Sequence, residues 1–156
     1  MFNKITRQIH DRLIRQAKTI SVAESCTGGQ LSSALTSLPG SSAYFLLGVA
    51  TYSNASKTLL LNIPTKTIAR YGAVSAQIAK LMAKHIQNKT HADFGLSITG
   101  VAGPKGGTTH IPTGTVFIAL ADKNKILCRL FLLKGTREDI RKKSVKQALR
   151  LLYQQL

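Results

Sequence analysis

A serine and a cysteine stand side by side in Ala23-Glu24-Ser25-Cys26-Thr27-Gly28-Gly29. A hydroxyl or a thiol becomes a nucleophile when a base sits beside it, so Ser25 and Cys26 are both candidates. The segment follows a β-prone run, Thr19 to Ala23, and precedes a predicted helix from Gln30 to Ser37. Backbone N–H groups near Thr27, Gly28 and Gly29 would then open a helix, where they can stabilise an anion or a developing oxyanion. Two successive glycines also let the backbone turn tightly and approach a ligand. The plainer alternative is a capped helix after a glycine turn. A second segment, Thr51-Tyr52-Ser53-Asn54-Ala55-Ser56-Lys57, ends an apolar stretch and enters another helix. A lysine whose charge is disfavoured by burial serves as a general base, and the Tyr52 hydroxyl can relay a proton. Here the plainer alternative is a Ser/Asn cap and a surface lysine. A third segment runs from Thr99 and Gly100 through Gly103 and Lys105 to Gly107. It follows a strand, where α/β proteins carry ligand loops, and its amides could cradle a phosphate. It matches neither GxxxxGK[ST] nor GxGxxG, and a flexible loop is its alternative.

The counts exclude other chemistries. With six Asp plus Glu in 156 residues, a metal site built on carboxylates is not expected. His10, His85 and His91 read as surface residues, and His110 follows the glycine-rich loop. Cys26 and Cys128 are far apart, which argues against a disulfide framework or a zinc site and makes a reducing, cytoplasmic compartment the default. No apolar run reaches the ~18–20 residues of a membrane helix. The N-terminal residues carry charges throughout, so no signal peptide is expected. The 22 Lys plus Arg give a net charge of +16, one footprint of nucleic-acid binding. The basic residues are nevertheless dispersed. Their densest stretch, Lys134 to Arg150, holds seven basic and two acidic residues and reads as a solvated helix face. Tryptophan is absent and aromatics total 6%, a poor platform for stacking bases. Binding of an anionic small molecule stays open.

These segments need elements to hold them. A helix over residues 2–17 places Phe2, Ile5, Ile9 and Leu13 on one face. Phe45 to Tyr52 is strand-like, residues 54–61 are helical, and Pro64 opens a short helix that stops near Gly72. Ser75 caps a helix over 76–89 with Ile78, Leu81, Met82 and Ile86 inward. Asp93 to Thr99 is a strand. Residues 114–121 and 125–132 form a hairpin through Asp122-Lys123-Asn124. The last helix, 136–155, carries Val145, Ala148, Leu149 and Leu152 on one stripe. No internal repeat or linker divides the chain, so residues 1–156 read as one α/β domain with a mixed sheet.

The ordered segments AESCTGG, PGSSAYF, GVATYSNASK, YGAVS, SITGVAGPKGG and PTGTVFIAL together resemble the CinA C-terminal domain family, over about residues 4–155. Its characterised enzymes are nicotinamide-nucleotide amidases. The resemblance implies a three-layer α/β/α sandwich and hydrolysis of nicotinamide mononucleotide to nicotinate mononucleotide and ammonia. It also implies a Ser–Lys mechanism with no metal or other cofactor. Residue by residue, it makes Ser25 the nucleophile, Lys57 the base and Tyr52 the assisting hydroxyl, with the Thr99–Gly107 loop bordering the nucleotide. Lys105 and Arg141, the latter from the Arg-x-x-Ile-Arg pattern of 137–141, are candidates for the substrate phosphate. The chain resembles the stand-alone form, for which the pyrophosphatase activity of the longer proteins' N-terminal domain is not expected. A homodimer or higher homo-oligomer is implied.

Two departures stand out: Thr108-Thr109-His110-Ile111-Pro112-Thr113 replaces a stretch with an acid and a lysine, and Ala55 replaces a usual Glu. Two rivals remain. In one, Cys26 is the nucleophile, with Glu24 and Lys57 beside it; residues 25 and 26 at a helix start point about 100° apart, so only one faces the substrate. In the other, the chain is a non-catalytic binder of nucleotides or nucleic acid, or a degenerate assembly partner.

Overall fold

The computed structural model describes residues 3–156; Phe2, expected on the first apolar helix face, lies outside them. Five strands form one sheet: β1 (Ile20–Glu24), β2 (Phe45–Ala50), β3 (Phe94–Gly100), β4 (Thr115–Ala121) and β5 (Ile126–Leu132). Their spatial order is β2-β1-β3-β4-β5. β1 is parallel to both of its neighbours, whereas β3–β4 and β4–β5 are antiparallel. The sheet is therefore mixed, as the alternation of helices and strands followed by one hairpin requires. Asp122 Oδ1 closes that hairpin by accepting from the amides of Asn124 and Lys125.

Side-chain parity divides the helices between the two faces. Ile20 and Val22 of β1, Leu96 and Ile98 of β3, and Val116, Ile118 and Leu120 of β4 pack on one side. Their partners are α1 (Asn3–Arg15), α2 (Gln30–Leu35) and α6 (Arg137–Tyr153). The alternate residues face α3 (Asn54–Leu61), α4 (Thr65–Tyr71) and α5 (Ala76–Thr90). The result is the three-layer α/β/α arrangement.

Small residues set the spacing under α5. A Cβ added at Gly95 would stand 2.0 Å from the Ala83 carbonyl oxygen. Ser97 donates to the Ala79 carbonyl at 2.6 Å, and Ala79, Ala83, Ala119 and Ala121 form an all-alanine contact. The continuous apolar look of β3 therefore hides one large face and one small, hydrogen-bonding face.

Local signals place the other ends. Ser53 and Ser56 form a reciprocal capping box on α3, as do Thr136 and Asp139 on α6. Ser75 caps α5 by accepting from the Ile78 amide. Gly72 ends α4 with φ 78°. The predicted second helix extends to Ser37, but α2 stops at Leu35. The Thr36 and Ser37 hydroxyls turn back to the carbonyls of Ser32 and Ala34, which competes with helix continuation.

Candidate active site

β1 and β3 are parallel neighbours at the centre of the sheet, and their C-terminal ends open on the same edge. Ser25 follows β1 directly. Its amide donates to the Ile98 carbonyl of β3 at 3.0 Å. Beside it, the Thr51 amide beyond the end of β2 donates to the Glu24 carbonyl at 2.8 Å. The sheet thus carries the first and second sequence segments to one point.

Lys57, on the first turns of α3, fills that point. Only 1% of its surface is exposed. Its Nζ lies 3.3 Å from Ser25 Oγ and 2.7 Å from the Thr51 carbonyl oxygen. No carboxylate partners Nζ among the described residues. Desolvation therefore dominates and holds the ammonium below the ordinary lysine value, against a smaller opposing effect of Cys26. The surface-lysine alternative does not hold: Lys57 is a buried amine against a hydroxyl.

Cys26 points elsewhere. It is 5% exposed, packed in the cluster of Leu31, Leu35 and Ile140, and burial pushes its thiol up to about 11. Residues 25 and 26 lie in the turn before α2 rather than at a helix start, and that turn directs Ser25 toward Lys57 and Cys26 into the core. A thiol held protonated in an apolar setting is a poor nucleophile.

Glu24 builds the turn between them. Its carboxylate is fully buried and accepts five hydrogen bonds. Oε2 takes Thr27 Oγ1 and the amides of Gly29 and Leu31, while Oε1 takes the amide and hydroxyl of Ser32. It is the N-terminal cap of α2, reached from the preceding strand, and Gly29 itself supplies no side chain for that task. Glu24 therefore does not sit beside a cysteine nucleophile as a catalytic acid.

The amides expected near Thr27–Gly29 divide into two groups. Those of Gly28 and Gly29 are already committed, the first to the Ser25 carbonyl at 3.1 Å and the second to Glu24. The amides of Cys26 and Thr27 have no acceptor among the described residues. Gly28 and Gly29 instead provide the left-handed turn, with φ 56° and 98°.

Arg141 of α6 donates to the Thr27 carbonyl at 2.9 Å and packs under Gly28. It braces the turn from Ser25 to Gly29. One helical turn earlier, Arg137 donates to the Tyr52 hydroxyl at 2.6 Å and to the Gly103 carbonyl at 2.7 Å. The Arg-x-x-Ile-Arg pattern of 137–141 begins at Arg137, but the sequence reading names only Arg141 from it. The signal for Arg137 was the i, i+4 spacing to Arg141, which puts both guanidiniums on one helix face. Tyr52 is 58% exposed, and its hydroxyl accepts from Arg137 rather than meeting Ser25 or Lys57.

The glycine-rich loop separates similarly. The buried Thr99 hydroxyl donates to the Ala73 carbonyl on the α5 side of the sheet, which makes it a tie to the segment before α5. Gly100 is pressed against β4, where a Cβ would stand 2.7 Å from the Thr115 carbonyl oxygen. Gly103 has φ 75° and offers its carbonyl to Arg137. Lys105 is exposed on the outer part of the loop. Of the histidines, His10 and His85 are half-buried with partners, Tyr44 and the Leu61 carbonyl, and His91 ends α5 with φ 55°. Among the described residues no cluster of three His, Cys, Asp or Glu forms, and no helix is long and apolar enough to cross a membrane.

A profile described as the CinA C-terminal domain matches residues 2–156. A CinA-like protein of Leptospira biflexa is 48% identical over 153 residues, covering 97% of this chain and 37% of that protein. A putative competence-damage inducible protein of Desulforudis audaxviator is 45% identical over 146 residues, covering 94% and 35%. The chain thus spans little more than a third of the length of these curated relatives. Among solved structures, the competence/damage inducible protein CihA from Agrobacterium tumefaciens superposes with a TM-score of 0.94 at 36% identity, covering 97% of this chain and 93% of that one. A CinA superfamily protein from Escherichia coli gives 0.95 at 32% identity, covering 100% and 91%.

Proposed function

The chain belongs to the CinA C-terminal domain family, and from that premise we propose that it is a Ser–Lys amidase that converts nicotinamide mononucleotide to nicotinate mononucleotide and ammonia. The observation that carries the reading is the buried Lys57 amine 3.3 Å from the Ser25 hydroxyl. A lysine works as a base only when neutral, and its ordinary value lies near 10.5. Burial without a carboxylate partner favours that neutral form. Donation from Nζ to the Thr51 carbonyl fixes the amine and leaves its lone pair for the hydroxyl.

Each proton has a place in the reaction. Ser25 Oγ attacks the carboxamide carbon while its proton passes to Lys57. The developing oxyanion is held by the amides of Cys26 and Thr27, where one such donor is worth roughly 3–4 kcal/mol. Lys57 returns the proton to the leaving nitrogen, the C–N bond breaks and ammonia departs. Water then attacks the acyl-serine, again losing a proton to Lys57, and the carboxylate product leaves with Ser25 restored. No metal or organic cofactor enters these steps. The strongly positive chain favours approach of a phosphate-bearing substrate.

The test is ammonia release from nicotinamide mononucleotide by the wild type, Ser25→Ala and Lys57→Ala. Activity in the wild type that falls at least about 10³-fold in both variants, with unchanged circular dichroism, is the expected result. A wild type inert toward this amide across pH 6–10 overturns the proposed reaction. Steeply salt-dependent binding of DNA or RNA in its place would favour the non-catalytic binder.

A further inference from the structure

We infer that Arg137 is the residue that reads the anionic group of the substrate. The inference rests on the amidase reading and deepens it by assigning specificity to one side chain. Arg137 joins two of the three site segments, since its guanidinium holds the Tyr52 hydroxyl beyond β2 and the Gly103 carbonyl of the glycine loop. Both partners are neutral. No carboxylate pairs with this guanidinium among the described residues. A planar guanidinium offers five donors, and here one is fixed by the Gly103 carbonyl while another rests on a hydroxyl that can rotate away. Such a group is pre-positioned by neutral contacts and still carries a full, uncompensated charge. A phosphate displaces the Tyr52 hydroxyl in a charge-assisted, bidentate contact.

The acids that could have neutralised Arg137 are used elsewhere. Glu138 pairs with Lys142 on the solvent side of α6. Asp139 is turned back onto Thr136 as the helix cap. Glu24 is spent on the amides and hydroxyls of the nucleophile turn. Neither sequence-derived candidate for the phosphate is placed as well. Arg141 is committed to the Thr27 carbonyl, and its Nε is buried without a partner and closed to solvent. Lys105 is exposed and makes no hydrogen bond among the described residues. Arg137 is exposed, fixed and uncompensated at once.

The test compares nicotinamide mononucleotide with nicotinamide riboside, which lacks the phosphate, in the wild type and in Arg137→Ala, Arg137→Lys, Lys105→Ala and Lys146→Ala. Calorimetric titration with ribose 5-phosphate is run on each protein. Lys146 is an exposed cation of α6 outside the site and controls for net charge. Arg137→Ala is expected to raise KM for the mononucleotide about 10- to 100-fold, the worth of a charged hydrogen bond. It should leave kcat/KM for the riboside within about threefold, abolish measurable ribose 5-phosphate binding, and be only partly rescued by Arg137→Lys. Equal losses on both substrates would make Arg137 a structural tie and overturn the inference. An equal effect of Lys146→Ala, or a larger one of Lys105→Ala, would overturn it in favour of diffuse charge or of the loop lysine. A wild type that binds ribose 5-phosphate through Arg137 but hydrolyses neither amide would sustain the anion assignment while defeating the amidase. A wild type that binds no ribose 5-phosphate and does not discriminate the two amides defeats the assignment alone.

Discussion

Lys57 reaches Ser25 from a different element and a different strand end, and the 3.3 Å between Nζ and Oγ is closed by no acid. The arrangement is costly to the fold. At a pH between its lowered native value and the ordinary one, such a lysine is neutral in the native state while its unfolded counterpart is charged. Its native form binds fewer protons at any pH between the two values, so its contribution falls as pH drops through the ordinary lysine value of 10.5 toward the lowered one. Below the lowered value a constant penalty remains. Replacing Lys57 by Met, which fills similar space without charge, should therefore abolish amide hydrolysis yet leave the melting temperature at pH 7 unchanged or raised by up to about 4 °C. A melting temperature lowered by more than about 3 °C would show that the amine is structurally required.

On the proposed mechanism the same amine governs the pH profile. kcat/KM should rise with pH along one limb as Lys57 loses its proton, and that limb should lie below 10.5 because burial lowers the group. Lys57→Arg, which stays charged across the accessible range, should show no such limb and at most a residual rate. A wild-type profile flat from pH 6 to 10 would contradict a lysine base with its proton equilibrium in that window.

Cys26 offers the opposite expectation. Its thiol is buried among apolar side chains and pushed up to about 11. Cys26→Ala should keep activity within about threefold and cost about 1 kcal/mol of stability for the lost sulfur contacts. Iodoacetamide at pH 8 should leave Cys26 unmodified in the native protein, as read by peptide mass mapping. Loss of activity in Cys26→Ala with retention in Ser25→Ala would reverse the assignment of the nucleophile.

Much of this was legible in the sequence because the signals were local. Ser53, Ser75 and Thr136 announce helix starts by hydroxyl spacing, Gly72 a stop, and Asp122-Lys123-Asn124 a hairpin. Ser25 and Lys57 stand in separate segments of the sequence, and the family resemblance is what pairs them. What spacing could not show was direction. Thr99 lies at the site edge, yet its hydroxyl is spent on the Ala73 carbonyl of the segment before α5. The Gly28 and Gly29 amides open a helix, yet one closes a turn and the other binds Glu24. Arg137 meets Tyr52 across 85 positions of chain, a contact that depends on α6 lying over the strand ends. Long-range packing decides each of these, and no short window of residues contains it.

Packing of α5 on the sheet gives a prediction independent of the chemistry. Gly95 has an ordinary strand conformation, so alanine there meets no backbone penalty of its own. The added Cβ, however, would stand 2.0 Å from the Ala83 carbonyl oxygen and 2.7 Å from Gln87 Cβ. The first of these is backbone in mid-helix and cannot rotate away. Gly95→Ala should cost about 2–3 kcal/mol or more by denaturant titration, whereas Gly29→Ala, which meets nothing within 4 Å, carries only the strain of its positive φ. Equal and small losses would show that α5 leaves room for a methyl group over Gly95.

On the proposed mechanism Glu24 couples fold and catalysis most directly. Its two oxygens accept five hydrogen bonds from the turn that follows Ser25 and from the first turn of α2. In Glu24→Gln one oxygen becomes an NH2 group, which must face donors whichever way the amide is turned: Thr27 Oγ1 with two backbone N–H groups, or the Ser32 amide with its hydroxyl. Hydroxyls can rotate to accept, but backbone amides cannot. At least one buried donor loses its acceptor, at a cost of about 2–3 kcal/mol. The turn between Ser25 and Gly29 loosens first, because three of the five bonds hold Thr27, Gly29 and Leu31. Glu24→Gln should therefore lower kcat more than it raises KM, since the free Cys26 and Thr27 amides are positioned by that turn while Arg137 is held by other segments. Unchanged kcat in a destabilised Glu24→Gln would separate the helix cap from the oxyanion amides and place those amides elsewhere.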